Sequence, residues 1–369
     1  MKSYKNLWKR YISDENIRLS IMDVSKGGKK KERKDVQKAL SDIDGYIEYI
    51  KKYAENFHND PHVPKEIYDG ISRKKRTIIV PTFREQVIHH MIVNVLRPIL
   101  LKGTYEQAYG SIPGRGAHKG KKVIQKWIKD DVKNCKYCLK LDIQKYFENI
   151  SHDILKEKLA KIIKDRRFMA LLCEIIDATE RGLPLGFYTS QWLSMWYLRD
   201  FDHYLKENCY APHYMRYVDD IVIYGASKRK LWRTYAEIVS YLGKNNLLLN
   251  RKTALFRFVY TKNGKEYGRD LDFMGFRFCR DRVILRRSIY MKMCRKARRI
   301  SRKEKPTLYE LRQMLSYLGW IKACDVYGAY LNYIKDNVNF QRAKRRISNH
   351  DKRRNRENVE IIRINSKTT

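Results

Sequence analysis

Apolar positions along the chain switch between two periods. Over the first sixty residues Val36, Ala39, Leu40, Ile47 and Ile50 recur at helical spacing with a charged face opposite, which predicts a helical N-terminal region. Thr77 to Val80 is a β-branched run and predicts a strand. Helices follow over 83–97, where Ile88, Ile92, Val95 and Leu96 share a face, and over 118–130. Residues 137–143 alternate like a half-buried strand and carry Asp142 at its end. The helical period returns over 168–178 and 189–207. Between His213 and Tyr224 two short runs rich in Tyr, Val and Ile flank Asp219-Asp220, the pattern of a hairpin with a tight acidic turn. A helix over 229–243, a short aromatic hairpin around Gly275 and basic helices from about 288 onward, with a second run over 308–334, complete the reading.

Composition narrows the partner. A chain of 369 residues, 43% of them hydrophobic, can hold two or three packed units. Its 79 Lys and Arg against 41 Asp and Glu leave a formal charge of +38, and an excess of this size points to a polyanion. No stretch approaches the roughly 18 apolar residues of a membrane span, and Met1 to Lys5 hold no apolar signal core. The expectation is a soluble, cytoplasmic nucleic-acid-binding protein with no membrane partner. Seven cysteines, an odd number, suggest reduced thiols. Cys135 and Cys138 form a lone CxxC without the second pair that a zinc site needs, so core packing is expected there.

The chemistry gathers around acids and cations. Asp219-Asp220 is either a grip for a hard divalent cation or an acidic surface turn. Asp142 supplies a third carboxylate, and three are enough for two divalent ions. Arg73, Lys74, Lys75 and Arg76 run straight into the strand at Thr77, a rigid placement that suits a triphosphate. The loop Lys26 to Lys31 is a phosphate contact or a solvated loop. Residues 109–120 are rich in glycine and carry Arg115, His118 and Lys119, but the P-loop spacing is absent. His89 and His90, on an amphipathic helix, are expected to be structural or at the surface, since nothing nearby completes a metal set. Helices bearing Arg298, Arg299, Tyr317, Trp320, Tyr327, Tyr330 and Tyr333 are a duplex clamp or a solvated face. The tail from 341 is basic, poor in apolar residues and expected to be flexible until bound.

Taken in order, Leu141 to Phe147, Leu185 to Gln191, Tyr217 to Asp220, Leu249 to Thr253 and Phe273 to Gly275 resemble the motifs of bacterial reverse transcriptases, akin to those of group II introns and retrons. The resemblance covers about residues 60–335. It implies an α+β right-hand polymerase: fingers and palm built of an antiparallel sheet with packed helices, and a helical basic thumb. The implied division is an N-terminal helical extension over 1–60, fingers over 61–136 with a contribution from 150–205, a palm over 137–280, a thumb over 285–340 and the tail over 341–369. It implies catalytic Asp142, Asp219 and Asp220, with the Ile143 carbonyl completing the shell of two Mg²⁺ ions that Mn²⁺ can replace. Lys75, Arg76, Phe147, Leu185, Gly186 and Lys252 are implied on the deoxynucleoside triphosphate, and Arg115, Gln191, Tyr217, Phe273, Met274 and Gly275 on template or primer. Phe147 would lie under the sugar and Lys252 against the pyrophosphate.

One departure refines this. The related enzymes carry Gln-Gly-x-x-x-Ser-Pro where this chain has Leu185-Gly186-Phe187-Tyr188-Thr189-Ser190-Gln191. That pattern resembles the enzymes of diversity-generating retroelements, which copy a template RNA with errors at adenines. It implies template RNA, an RNA–DNA duplex and a small, basic, oligomeric helical accessory protein as partners, in a bacterium or encoded by a phage. The rivals are an enzyme of a retron, a phage-defence system or a group II intron, and a catalytically idle RNA-binding protein with a palm fold.

Overall fold

The computed structural model describes residues 3–26, 30–68 and 75–365. Its centre is a five-stranded sheet ordered Ala108–Tyr109, His213–Tyr217, Asp220–Gly225, Tyr137–Asp142, Ala254–Arg257. All pairings are antiparallel except that of Ala108–Tyr109 with His213–Tyr217. The period of two divides these strands between two cores. Leu139, Leu141, Tyr214, Ile221 and Ile223 face one, packed with Phe168, Leu193, Phe201 and Ile238 from the helices Arg166–Ile176, Tyr188–Tyr197, Arg199–Asn208 and Lys228–Lys244. Cys138, Met215, Val222 and Tyr224 face the other, with Ile124 and Ile128 of the helix Ala117–Asp130 and Phe273, Phe276 and Phe278 of a three-stranded sheet. Each such side chain contributes about 1.5–3 kcal/mol when fully buried. Cys135 and Cys138 are buried and free, packed as expected.

Helices Leu7–Tyr11, Asp14–Ser25, Lys34–Ser41 and Ile43–Glu55 form the N-terminal region and join the first core. They lean on the long helix Phe83–Leu101, which starts at a capping box of Thr82 and Glu85. Glu85 is fully buried and accepts from the Asp60 amide at 3.0 Å, with His62 Nε2 at 2.9 Å, so an acid in a helix's first turn also fixes the chain entering it. Between the two parts a hairpin, Pro64–Tyr68 with Lys75–Ile79, projects with mostly exposed residues. Arg287–Ser301, Leu308–Lys322, Tyr327–Tyr330 and a π-helical turn, Leu331–Lys335, enclose a third core of Ile289, Met293, Met314, Ile334 and Val338.

Three elements differ from expectation. The helix expected over 189–207 is broken at Leu198, whose φ and ψ of −95° and 5° separate two helices. The helix expected over 308–334 ends at Lys322, because Asp325 turns back to Val283 through two 2.8 Å hydrogen bonds. Most of the expected flexible tail is a helix, Phe340–Asn365. It buries Ala343 and pairs Asp351 with Arg312, and its Arg and Lys are good helix formers. No helix among the described residues is long and apolar enough to cross a membrane.

Candidate active site

Register brings the acids together. Tyr137–Asp142 and Asp220–Gly225 pair so that Asp142 lies directly opposite Asp220. Cross-strand Cβ atoms are about 4.5–5.5 Å apart, so like charges are held side by side. Tyr217 in turn pairs with Asp220. The two-residue turn is therefore Val218-Asp219, one position earlier than the Asp-Asp turn expected. Asp219 tops the turn and its carbonyl accepts from the Ile143 amide at 3.2 Å, tying the turn to the residue after Asp142. The Asp142 carbonyl accepts from Asn250 at 2.7 Å, and the Gln144 amide donates to Leu248 at 2.8 Å. The loop before Ala254–Arg257 is thus fixed to the same strand end.

Electrostatics reports the crowding. Burial, then the charges of Asp219 and Asp142, push the Asp220 carboxyl up to about 6, against a smaller opposing pull from Lys140 and Arg286. Negative potential concentrated on oxygen donors is what a hard divalent cation relieves, and three carboxylates are the donor type that such a cation takes. Among the described residues no three His, Cys, Asp or Glu side chains converge on one ion position. The backbone register sets Asp142 beside Asp220, with Asp219 on the adjoining turn.

The turn rests on residues that sequence reasoning missed. Val218 has φ 59°, a left-handed conformation that a β-branched residue adopts at a cost on the order of 1–3 kcal/mol. Its amide donates to the Tyr109 carbonyl at 3.0 Å and its carbonyl accepts from Arg216 Nη1 at 2.9 Å. Gly110 makes the room: a Cβ there would lie 2.5 Å from Val218 Cγ2. Arg216 is itself fully buried and forms a two-pronged pair with Asp202, Nε to Oδ1 at 2.7 Å and Nη2 to Oδ2 at 2.6 Å. Tyr214 Oη donates to the same carboxylate at 2.5 Å. A signal was present, since Arg216 falls on the inward face of an apolar strand.

The remaining expected residues divide. Leu185 and Gly186 are fixed to the projecting hairpin: the Ile79 amide donates to the Leu185 carbonyl at 2.7 Å. Gly186 has φ 115°, and a Cβ there would meet Ile79 O at 1.9 Å. Lys75 and Arg76 open that same hairpin strand, with Lys75 paired to Glu66 across it at 2.6 Å. Arg73 and Lys74 lie outside the described residues, as do Gly27, Gly28 and Lys29 of the basic loop. Phe147 is partly buried in the short helix Tyr146–Asn149, its carbonyl taking the Leu183 amide at 2.8 Å. This links the stretch after Asp142 to the stretch before Leu185. Lys252 is exposed, and Gln191 is exposed on Tyr188–Tyr197.

Tyr217 packs in the second core, where burial and then Asp220 raise its hydroxyl pKa. Arg115 donates to the Tyr105 carbonyl at 2.8 Å and braces its own loop. Phe273, Met274 and Gly275 are all buried, and the Gly275 carbonyl accepts from the Arg286 amide at 2.9 Å. The Met274-Gly275 turn has φ 51° and 85°, and a Cβ on Gly275 would press Trp320 at 2.9 Å. His89 is buried against Thr189 at 3.0 Å, and burial pushes it down to about 3. It is neutral and structural.

Residues 63–278, more than half of the chain, match the family model described as reverse transcriptase (RNA-dependent DNA polymerase). Protein YkfC of Escherichia coli is 26% identical over 162 residues, 41% of this chain and 42% of that protein. The group II intron-encoded protein LtrA of Lactococcus lactis is 25% identical over 180 residues, 44% of this chain and 29% of LtrA. The chain thus spans less than half the length of these curated relatives. Among solved structures, an apo telomerase from Candida tropicalis aligns with TM-score 0.47 and 16% identity over 65% of this chain and 59% of that one.

Proposed function

The chain belongs to the reverse transcriptase (RNA-dependent DNA polymerase) family, and on that footing we propose that it is an RNA-directed DNA polymerase with the fold of a right hand, copying template RNA into cDNA from deoxynucleoside triphosphates. The observation that carries this is the register that sets Asp142 opposite Asp220 with Asp219 on the adjoining turn. Asp142, Asp219 and Asp220, with the Ile143 carbonyl, would hold two Mg²⁺ ions, whose Lewis acidity would favour the attacking 3′-hydroxyl and the departing pyrophosphate. Lys75 and Arg76 neutralise the triphosphate from the hairpin. Phe147 excludes a ribose 2′-hydroxyl by bulk, and Lys252 meets the pyrophosphate. The Phe273-Met274-Gly275 turn steadies the primer, while Gln191 and Tyr217 border the template.

Two finer readings separate on one residue. Leu185 cannot make the side-chain hydrogen bonds of a glutamine, which supports loose base selection and a diversity-generating retroelement with a small basic accessory protein. The relatives named as a group II intron-encoded protein and as a nuclear intron maturase support an intron-type enzyme instead. Primer extension on an adenine-containing RNA template, with the products sequenced, tests both levels. The proposal expects extension that Asp219→Ala abolishes while RNA binding persists. Unimpaired extension by that variant rejects the site, and accurate copying at adenines favours the intron type.

A further inference from the structure

The sheet has a second chemical end. Tyr137 begins the strand that Asp142 closes, and five steps of about 3.3 Å place it roughly 16 Å from the acids. Around it stands a ladder of rings and a guanidinium. Arg257, opposite Tyr137 on the edge strand, lies over the Tyr137 ring at 5.3 Å and over the Tyr260 ring at 4.4 Å. Tyr260 stacks on Tyr267 with centroids 5.8 Å apart and planes 29° apart. Tyr260–Lys262 and Lys265–Tyr267 form an exposed hairpin, closed by Asn263-Gly264 at φ 50° and 74°. Consecutive positive φ values give the tight turn whose twist matches a hairpin, so the rings are held in advance. Lys262 and Lys265 flank the turn against one acid, Glu266.

We propose that this hairpin is a second nucleic-acid site, which takes single-stranded RNA outside the polymerase groove. Three features argue for it. Tyr267 is 47% exposed at the end of the ladder and presents a ring to the next base. Stacking on aromatic rings accepts any base, and nearby lysines neutralise phosphates, which together are the means by which single strands are held. The rings are already ordered, so binding forfeits little side-chain freedom. A duplex offers no unstacked base to such a platform, which favours a single strand. The hairpin lies at the end of the sheet remote from Asp142, so RNA held there can stay bound while another segment is copied. The inference rests on the polymerase reading only in naming the groove.

The test uses the full chain with its groove saturated by an unlabelled RNA–DNA primer–template. The probe is a fluorescein-labelled single-stranded RNA of roughly twelve nucleotides, within the span such platforms cover, followed by anisotropy. The RNA is expected to bind despite the duplex. Tyr267→Ala weakens it about five-fold or more, and Tyr267→Phe does not. Lys262→Ala and Lys265→Ala, at exposed positions, each lower the salt slope by about 0.7. All four variants keep the kcat/KM of short-template extension. Complete displacement of the probe by the duplex overturns the proposal, as does unchanged binding by Tyr267→Ala and the lysine variants. A parallel loss of extension and probe binding assigns the hairpin to the groove and also overturns it. Absence of extension by the unaltered protein defeats the polymerase reading alone, since probe binding is read separately.

Discussion

Arg216 donates to the carbonyl oxygen of Val218 at 2.9 Å while Asp202 clamps the rest of its guanidinium. A fully buried ion pair thereby reaches the one residue that separates the strand from Asp219. Taking a charge pair out of water is expensive, and removing one partner leaves the other uncompensated, at about 3–5 kcal/mol. Arg216→Met is expected to lower stability by that order in a denaturant titration. Arg216→Lys keeps the charge but has no fork to hold Asp202 and Val218 together. It is expected to retain more stability than Arg216→Met and to lose extension rate at saturating nucleotide with little change in KM. An Arg216→Lys enzyme with an unaltered rate would refute the positioning role.

The acid cluster makes a pH prediction whose sign is fixed. Asp220 titrates near 6 in the folded protein and near 3.9 unfolded. A raised carboxyl contributes stability fully below the unfolded value and loses it as pH rises through the folded one. Without divalent cations, stability is therefore expected to fall between about pH 4 and 6 and level off above. About two pKa units correspond to roughly 2–3 kcal/mol. Asp220→Asn removes that slope and is more stable than the parent at pH 7. A divalent cation held by the acids would bind the ionised form, so added Mg²⁺ is expected to raise the melting temperature most above pH 6, and extension is expected to decline as pH falls below 6. Thermal melts across pH, with and without Mg²⁺, check both; a slope that survives in Asp220→Asn would place the titration elsewhere.

These two cases show how far the residues speak before the fold is known. Alternation in Tyr137–Asp142 and His213–Tyr217 made the sheet and the meeting of the acids legible, because period two dictates which side chains share a face. The turn was misread by one residue. A valine at positive φ contradicts its own local preference, and Gly110, Tyr109 and Arg216, brought from elsewhere in the fold, help hold it there. Arg216 and Asp202 were passed over because charged residues usually belong to the surface. Phe273 and Met274 carry the motif expected at the primer, and their apolar character also packs them into the second core. The basic tail read as disordered because its composition offers little to bury, and contacts to Leu308–Lys322 supply what composition does not reveal.

The bond between Ile79 and Leu185 joins the cationic hairpin to the stretch that departs from its relatives. Gly186→Ala forces a side chain into Ile79 O at a backbone φ that only glycine adopts readily. It is expected to break that bond, lower stability by about 1–3 kcal/mol and raise the KM for nucleotide, since Lys75 and Arg76 sit on the displaced strand. Leu185→Gln leaves the backbone bond intact and adds hydrogen-bonding capacity. That variant is expected to lower the misincorporation frequency at template adenines with unchanged stability. Sequencing cDNA from both enzymes decides it, and indistinguishable error spectra would remove Leu185 from base selection.

Phe147 tests the sugar. Its helix is only four residues long, preceded by Lys145 at φ 44° and anchored by Leu183 through the Phe147 carbonyl. The main-chain bond survives substitution, so the ring can be removed without freeing the loop. Phe147→Ala is expected to admit ribonucleotides, raising kcat/KM for a ribonucleoside triphosphate by about 10²-fold, the discrimination that steric exclusion of one group provides. Its cost in stability is expected to stay below the roughly 3–5 kcal/mol of a fully buried phenylalanine, because the ring is only partly buried. Phe147→Tyr preserves the bulk and should preserve selection. Single-nucleotide incorporation with paired deoxy and ribo substrates separates the roles. A loss of activity toward both sugars alike would make Phe147 a packing residue and leave discrimination to another side chain.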